Sequence, residues 1–357
     1  MKTTGWLITC FVLFLPHVVL GKPATSRYDR YIKKISQTLK RKPKSPRLHT
    51  ILGRLYVRAG QPDKALHHYK QALRYDRHFT HAQVGIAHIY MTQKKRQRAY
   101  TLLQRVLKRT PKHAPALAEL SEYYRDLAGS SKGATQQKHL KRSINLLKKA
   151  LKHSPKSHAY RYRLGLLYLA SQQLAQARVA FIGAVAQRSF HPCYQLGLTL
   201  SETLLQQKNS HTQYNKLLRW RPQCGHPLLE RIARRLLVAL GVEIAQKLQE
   251  KGSVKEAISF FKGVNKQVPH SRQGMMFLAF LYYQHNDCQK VKQTLTQLVR
   301  RYPKHAPAKK LLADKKFMRC TTVKKIWKPK IRTSLQILRI HPSGSVTKEQ
   351  PTRPKKR

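Results

Sequence analysis

Apolar and small residues recur along most of the chain at helical spacing. Leu52, Gly53 and Tyr56 fall at i, i+1 and i+4 on one helix face. After a short break, Ala65, Tyr69 and Ala72 form a second. The small residue beside each leucine lets a neighbouring helix approach closely. The order of positions then repeats. It returns as Ile86-Ala87, Tyr90, Ala99, Leu103, Val106 and Pro111, and again as Leu164-Gly165, Tyr168, Ala177, Phe181 and Ala184. Two later copies are Ile244-Ala245, Leu248, Ala257, Phe261, Val264, Pro269 and Leu278-Ala279, Tyr282, Val291, Leu295, Leu298, Pro303. A third copy opens at Leu120-Ser121 and Tyr124, is interrupted around Gly129 to Gly133, and resumes at Ser143, Leu147, Ala150 and Pro155. A degenerate fifth keeps Leu196-Gly197, Leu200 and Pro222. Each copy predicts two helices, and the prolines that close several copies fall just past a helix end, where they redirect the chain. Ser253 and Glu256 are spaced as a capping box for the second helix of the sixth copy.

Undisturbed copies are about 34 residues apart, and in that period and these residue types the chain resembles the tetratricopeptide repeat family. The resemblance covers residues 46–318. It implies an all-α solenoid, a right-handed superhelix of antiparallel helix pairs, with about seven units and terminal cap helices. Tyr28, Tyr31, Ile32, Ile35 and Leu39 are spaced for the N-terminal cap, and Ala306 to Phe317 for the C-terminal one. The expected organisation is a leader over 1–21, a basic linker and cap over 22–45, the repeat array over 46–318 and a basic tail over 319–357. An insertion lies near 126–138 and a degenerate unit at 192–225.

Charge changes the functional picture more than the fold. The 357 residues include 72 Lys plus Arg against 14 Asp plus Glu, a net +58 that self-repels and that no fold requires. Three accounts compete: binding of a polyanion (envelope polysaccharide, anionic membrane surface or nucleic acid), adaptation to an acidic exterior, or a basic proteome. The tail ends Arg353-Pro354-Lys355-Lys356-Arg357, similar to a nuclear-localisation run, but no reader motif accompanies it and sequence-specific nucleic-acid binding is not expected. Lys2 followed by the apolar run Trp6 to Leu20, with Val19 and Gly21 at the −3 and −1 positions, predicts a secretory signal cleaved after Gly21. The product would be periplasmic or secreted. The alternative is an inner-membrane anchor over 5–21, which the cations Lys22, Arg27, Arg30, Lys33 and Lys34 favour.

Catalytic patterns are sparse. Glu119 and Glu122 form the best carboxylate pair, read as two solvated helix acids, and no phosphate loop, nucleophile elbow or HExxH occurs. No enzyme, cofactor or metal site is expected. The 18 histidines read as surface and joint residues that protonate below pH ~6.5. In the repeat register Cys193 and Cys224 fall at one end of unit five, and Cys288 and Cys320 near the turn of unit seven. Two disulfides, Cys193–Cys224 and Cys288–Cys320, are therefore expected, with four free thiols as the alternative. The resemblance also places first helices on the concave face. Transferred register gives Arg47, Arg54 and Arg58 from unit one, His81 and His88 from unit two, Tyr162 and Leu166 from unit four, and Met276, Phe280 and Tyr283 from unit seven. The family's chaperone-tail clamp is absent, since Thr50, Arg54 and His88 occupy its sites. The expected partner is a protein or peptide in this groove, which makes the chain an exported envelope scaffold.

Overall fold

The computed structural model describes residues 28–205 and 209–314; the leader, the tail and Cys320 lie outside them. Every regular element among the described residues is a helix. The chain opens with α1 (Asp29–Arg41), α2 (Pro46–Arg58), α3 (Pro62–Tyr75), α4 (Thr80–Thr92) and α5 (Arg96–Arg109). Then come α6 (Ala114–Ser130), α7 (Gly133–His153), α8 (His158–Ala170), α9 (Leu174–Gln187), α10 (Pro192–Leu204) and α11 (Ser210–Cys224). The last are α12 (Pro227–Glu250), α13 (Val254–Gln267), α14 (Arg272–Gln284), α15 (Cys288–Arg301) and α16 (Ala306–Ala313). Two compact units divide at Leu102 and Leu103. In the first, α1 packs on α2, α2 on α3, and α4 against both α2 and α3. In the second, α6 pairs with α7, α8 with α9, α10 with α11, α12 with α13 and α14 with α15. The first helices α8, α10, α12 and α14 also touch in series.

One joint is used five times. The residue two past a first helix takes a left-handed φ (Gly60 72°, Lys94 60°, Gln172 62°, Gly252 80°, Asn286 56°). The next N–H then reaches back to the carbonyl of the signature position, Tyr56, Tyr90, Tyr168, Leu248 or Tyr282, at 2.8–2.9 Å. This closes the helix in the manner of a Schellman turn and aims the second helix back along the first.

A single aromatic locks consecutive repeats. In the first unit, Tyr69 of α3 lies against Gly53 and Gly85, where an added Cβ would stand 2.5 and 2.4 Å from the ring. In the second, Phe181 of α9 lies against Gly165 and Gly197, with corresponding distances of 2.7 and 2.4 Å. Both aromatics are essentially fully buried.

Four expectations need correction here. The insertion near 126–138 does not interrupt the helix pair: it lengthens α6 to 17 residues and α7 to 21, leaving a short break at Ser131 and Lys132. Where these long helices meet, the fully buried Ser121 and Ser143 exchange hydrogen bonds, Ser143 Oγ donating to the Ser121 carbonyl at 2.8 Å. The Ser253 capping box does not form. At the equivalent joint the Asp287 carboxylate accepts from the Lys290 N–H at 3.1 Å. Pro222 stands inside the last turn of α11, and the chain leaves at Gly225 with φ 64°. Finally, α16 ends at Ala313 with Asp314 as its cap residue, and Phe317, the expected end, lies outside the described residues.

Histidines form part of this framework. His113 and His305 cap α6 and α16, each Nδ1 accepting an N–H at 3.2 Å. In the first unit, His49 Nε2 donates to the Pro43 carbonyl at 3.0 Å, so its Nδ1 accepts from His68 Nδ1–H at 3.2 Å. The His68 ring stacks on Tyr56 at 5.3 Å and meets His67 edge-on. Burial, with His49 and His67 adding to it, lowers the His68 pKa to about 4, so these histidines do not all protonate near pH 6.5 as expected. A pKa depressed on folding means the unfolded chain binds the proton first. The stability His68 contributes is therefore complete above pH ~6.5 and lost as pH falls toward about 4. Melting the chain at several pH values across that window should give a falling midpoint, and His68→Gln should flatten the slope. An equal slope in the variant would remove His68 from the account.

Candidate functional site

In the second unit the first-helix face carries two adjoining groups of side chains. The first is ionic. Glu119 and Glu122 lie one turn apart on α6, and Arg163 on α8 reaches both, Nη1 to Glu119 at 3.3 Å and Nε to Glu122 at 3.6 Å. Arg125 binds Glu122 at 2.6 Å and Asp126 at 3.0 Å. The glutamate side chains are 13% and 16% exposed, so they are not the solvated pair the sequence suggests. Burial opposes the charge on Arg125 and Arg163, but the surrounding carboxylates outweigh it and both guanidinium pKa values are raised. With both carboxylates committed to guanidiniums, the pair holds α6 to α8 and has no free acid–base partner to offer.

The second group is aromatic. Tyr162 on α8 meets Tyr194 on α10 at 4.8 Å between ring centroids. Tyr194 stacks on His191 at 3.9 Å. His226, just before the first turn of α12, meets Tyr162 edge-on at 6.1 Å. Tyr194 Oη and His158 Nδ1 share a hydrogen bond of 2.8 Å. Three polar atoms in this cluster, Tyr162 Oη, His191 Nδ1 and His226 Nδ1, are buried with no hydrogen-bond partner. Burial raises the Tyr162 pKa, with Tyr194 adding to it. Burial also lowers those of His191 and His226, with Arg188 and Arg125 contributing. At neutral pH the cluster is therefore an uncharged patch in a strongly cationic chain. It offers ring faces and unmade hydrogen bonds.

The anticipated groove residues meet different fates. Arg47, Arg54 and Arg58 are exposed along one face of α2, and the His81 pKa on α4 is lowered by partial burial of its ring and then by Arg54. His88 is half-buried. Tyr162 anchors the aromatic cluster, and Tyr283 on α14 is half-buried. Leu166, Met276 and Phe280 are corrected: at 8%, 8% and 5% exposure they pack into the core between helices and present no surface to a ligand. Tyr194 escaped the sequence reading although it holds the position in its repeat that Tyr162 holds in the one before, two residues ahead of Leu-Gly. His191 and His226 share a local signal, a His-Pro step at a first-helix start.

Cys193 and Cys224 are joined in a disulfide with Cα atoms 4.6 Å apart, tying the start of α10 to the end of α11. Cys288 is also disulfide-bonded. Among the described residues no three His, Cys, Asp or Glu gather as a metal site, and no helix is long and apolar enough to cross a membrane.

Among solved structures, the APC/C hetero-tetramer Cut9–Hcn1 is similar with a TM-score of 0.50 and 12% identity, over 80% of this chain and 52% of that one. Pseudomonas aeruginosa PilF gives 0.49 and 18%, over 66% and 96%. TTC0263, a tetratricopeptide protein of Thermus thermophilus, gives 0.45 and 19%, over 54% and 99%. At these identities the likeness is one of fold. No curated protein sequence matches the chain. A tetratricopeptide repeat family model matches residues 56–122, 134–200 and 248–314, more than half of the chain. With helix pairs, joints and glycine–aromatic locks in the same register, the chain belongs to the tetratricopeptide repeat family, whose members are generally protein-interaction scaffolds.

Proposed function

We propose that the chain is a non-enzymatic scaffold that holds a segment of a partner protein along the first-helix face of its second unit. The supporting observation is the aromatic–imidazole cluster, where the half-buried Tyr162, His191 and His226 leave buried polar atoms unpaired. Unmade hydrogen bonds of this kind cost stability until a ligand supplies the partner, and aromatic anchors carry most of the energy in such contacts. We place the protein outside the cytoplasm, in the cell envelope or beyond it. The apolar N-terminal run and the Cys193–Cys224 bond both suit an exported chain. A second reading is docking to a polyanion or anionic membrane surface through exposed cations such as Arg47, Arg54 and Arg58, which the net +58 supports.

Salt separates the two. Polyanion binding should fall roughly a thousandfold or more between 50 and 200 mM salt, whereas a ring-anchored peptide should change little. For a partner recovered by crosslinking in its own cells, Tyr162→Ala should weaken binding at least about tenfold at constant salt. Retained affinity in that variant would overturn the groove assignment. An intact mass beginning at Lys22 supports export; one retaining the leader supports the anchored form.

A further inference from the structure

Second helices in this chain present cations to solvent, as Lys148 and Lys149 do on α7 and Lys255, Lys262 and Lys266 on α13. Helix α9 does not. Its core side buries Ala177, Ala180, Phe181 and Ala184, yet its outer side is apolar as well: Ala175, Val179, Ile182 and Ala186 are all exposed, and Phe190 continues the line just beyond the helix end. Val179 is 68% exposed, Ile182 42% and Phe190 87%. The spacing of four, three and four residues is that of an a/d seam, which faces a partner helix without drifting, over about 20 Å from Ala175 to Phe190.

Two guanidiniums border the seam, one on each side. At 100° per residue, Arg178 stands on the Ile182 side and Gly183 on the Val179 side. Arg161 from α8 lies across Gly183, its Cδ 2.7 Å from where a Cβ would be. Arg178 Nε and Arg161 Nη1 are both buried without a hydrogen-bond partner. The sequence of α9 contains no acid to pair with them. In a two-stranded seam these flanks are where interhelical ion pairs form.

From the seam and its flanks we infer that the outer face of α9 is a second docking surface, occupied by an amphipathic helix of a partner protein with acidic residues beside its apolar stripe. The occupant is not another copy, because each copy brings a net +58, and a second α9 brings no acid to the two guanidiniums. Nor does the seam suit a bilayer, since two of its four helical positions are alanines that would bury little area in lipid. This surface is separate from the Tyr162 cluster and stands or falls without it.

The full-length protein should be titrated with a synthetic helix about three heptads long, Leu at a and d and Glu at e and g, and with a scrambled peptide of equal composition. The patterned helix should bind at least about tenfold tighter than the scramble. Val179→Ser with Ile182→Ser, which leaves net charge unchanged, should abolish that difference, and Arg178→Gln should reduce it. Both serine sites are exposed; Phe190→Ser provides a further variant outside the helix. Equal binding of the two peptides would show attraction by charge alone and overturn the proposal. So would binding to phosphatidylglycerol vesicles that the serine substitutions weaken while leaving the helix peptide bound, since the seam would then serve lipid. Concentration-dependent self-association lost in the serine variant would assign the seam to a second copy and equally overturn it.

Discussion

Replacing Phe181 by alanine is expected to destabilise the second unit by about 3–5 kcal/mol, the range for truncating a fully buried aromatic. The ring is 0% exposed and wedged between Gly165 of α8 and Gly197 of α10, so its loss opens a cavity shared by two consecutive repeats. Collapse cannot fill it, because the two glycines contribute no side chain from either side. In a linear array each repeat is stabilised by its neighbours, so a weakened joint should separate the cooperative unfolding of the segments on either side. Urea unfolding followed by circular dichroism should show a lower midpoint and a broader or divided transition. Hydrogen exchange should accelerate first in α8 to α10. The reciprocal change, Gly197→Ala, adds a methyl 2.4 Å from the Phe181 ring. Alanine favours a helix over glycine by about 1 kcal/mol, but overpacking of this severity costs about 1–3, so that variant should also lose stability. A wild-type midpoint in Phe181→Ala would show that the repeats are held together elsewhere.

That lock was legible in the sequence, because Leu164-Gly165, Phe181 and Leu196-Gly197 recur at fixed offsets and each offset has a local cause in helix geometry. Features decided by distant partners were not. Glu119 and Glu122 read as solvated acids until Arg163, 44 residues from Glu119, reaches across from the next first helix. Ser253 carries capping chemistry, yet a cap depends on the reach of one side chain at one joint, which residue type does not encode. Leu166, Met276 and Phe280 share a broad inner face with Tyr162, and the register transfers the face without separating its buried edge from its open one. Tyr194 could have been found by carrying Tyr162 into the next repeat. His226 is out of register, because α12 runs for 24 residues and breaks the period there, and only its His-Pro step, shared with His191, marks it.

Removing the Cys193–Cys224 bond by Cys193→Ser with Cys224→Ser should cost about 3–4 kcal/mol on the chain-entropy estimate for a separation of 31 residues. The bond closes the repeat least able to close itself. Helix α11 carries Pro222 in its last turn, which deletes one intrahelical hydrogen bond, and the chain then turns at Gly225. Cys193 also lies between His191 and Tyr194, so the tether fixes the start of α10 where the aromatic cluster is assembled. Two readouts should therefore move together: earlier melting with faster hydrogen exchange in α10 and α11, and weaker binding of any partner that loses affinity in Tyr162→Ala. Exchange in α2 to α4 should not change. The double serine variant is preferable to reductant, because Cys288 is disulfide-bonded too and would be released at the same time. If the variant melts with the wild type, the tether contributes nothing to the fold. If it melts early but binds normally, α10 is positioned by packing and the cluster is independent of it. Loss of both would mean that reduction of this bond yields a weakened binding face, which ties binding by this protein to an oxidising environment.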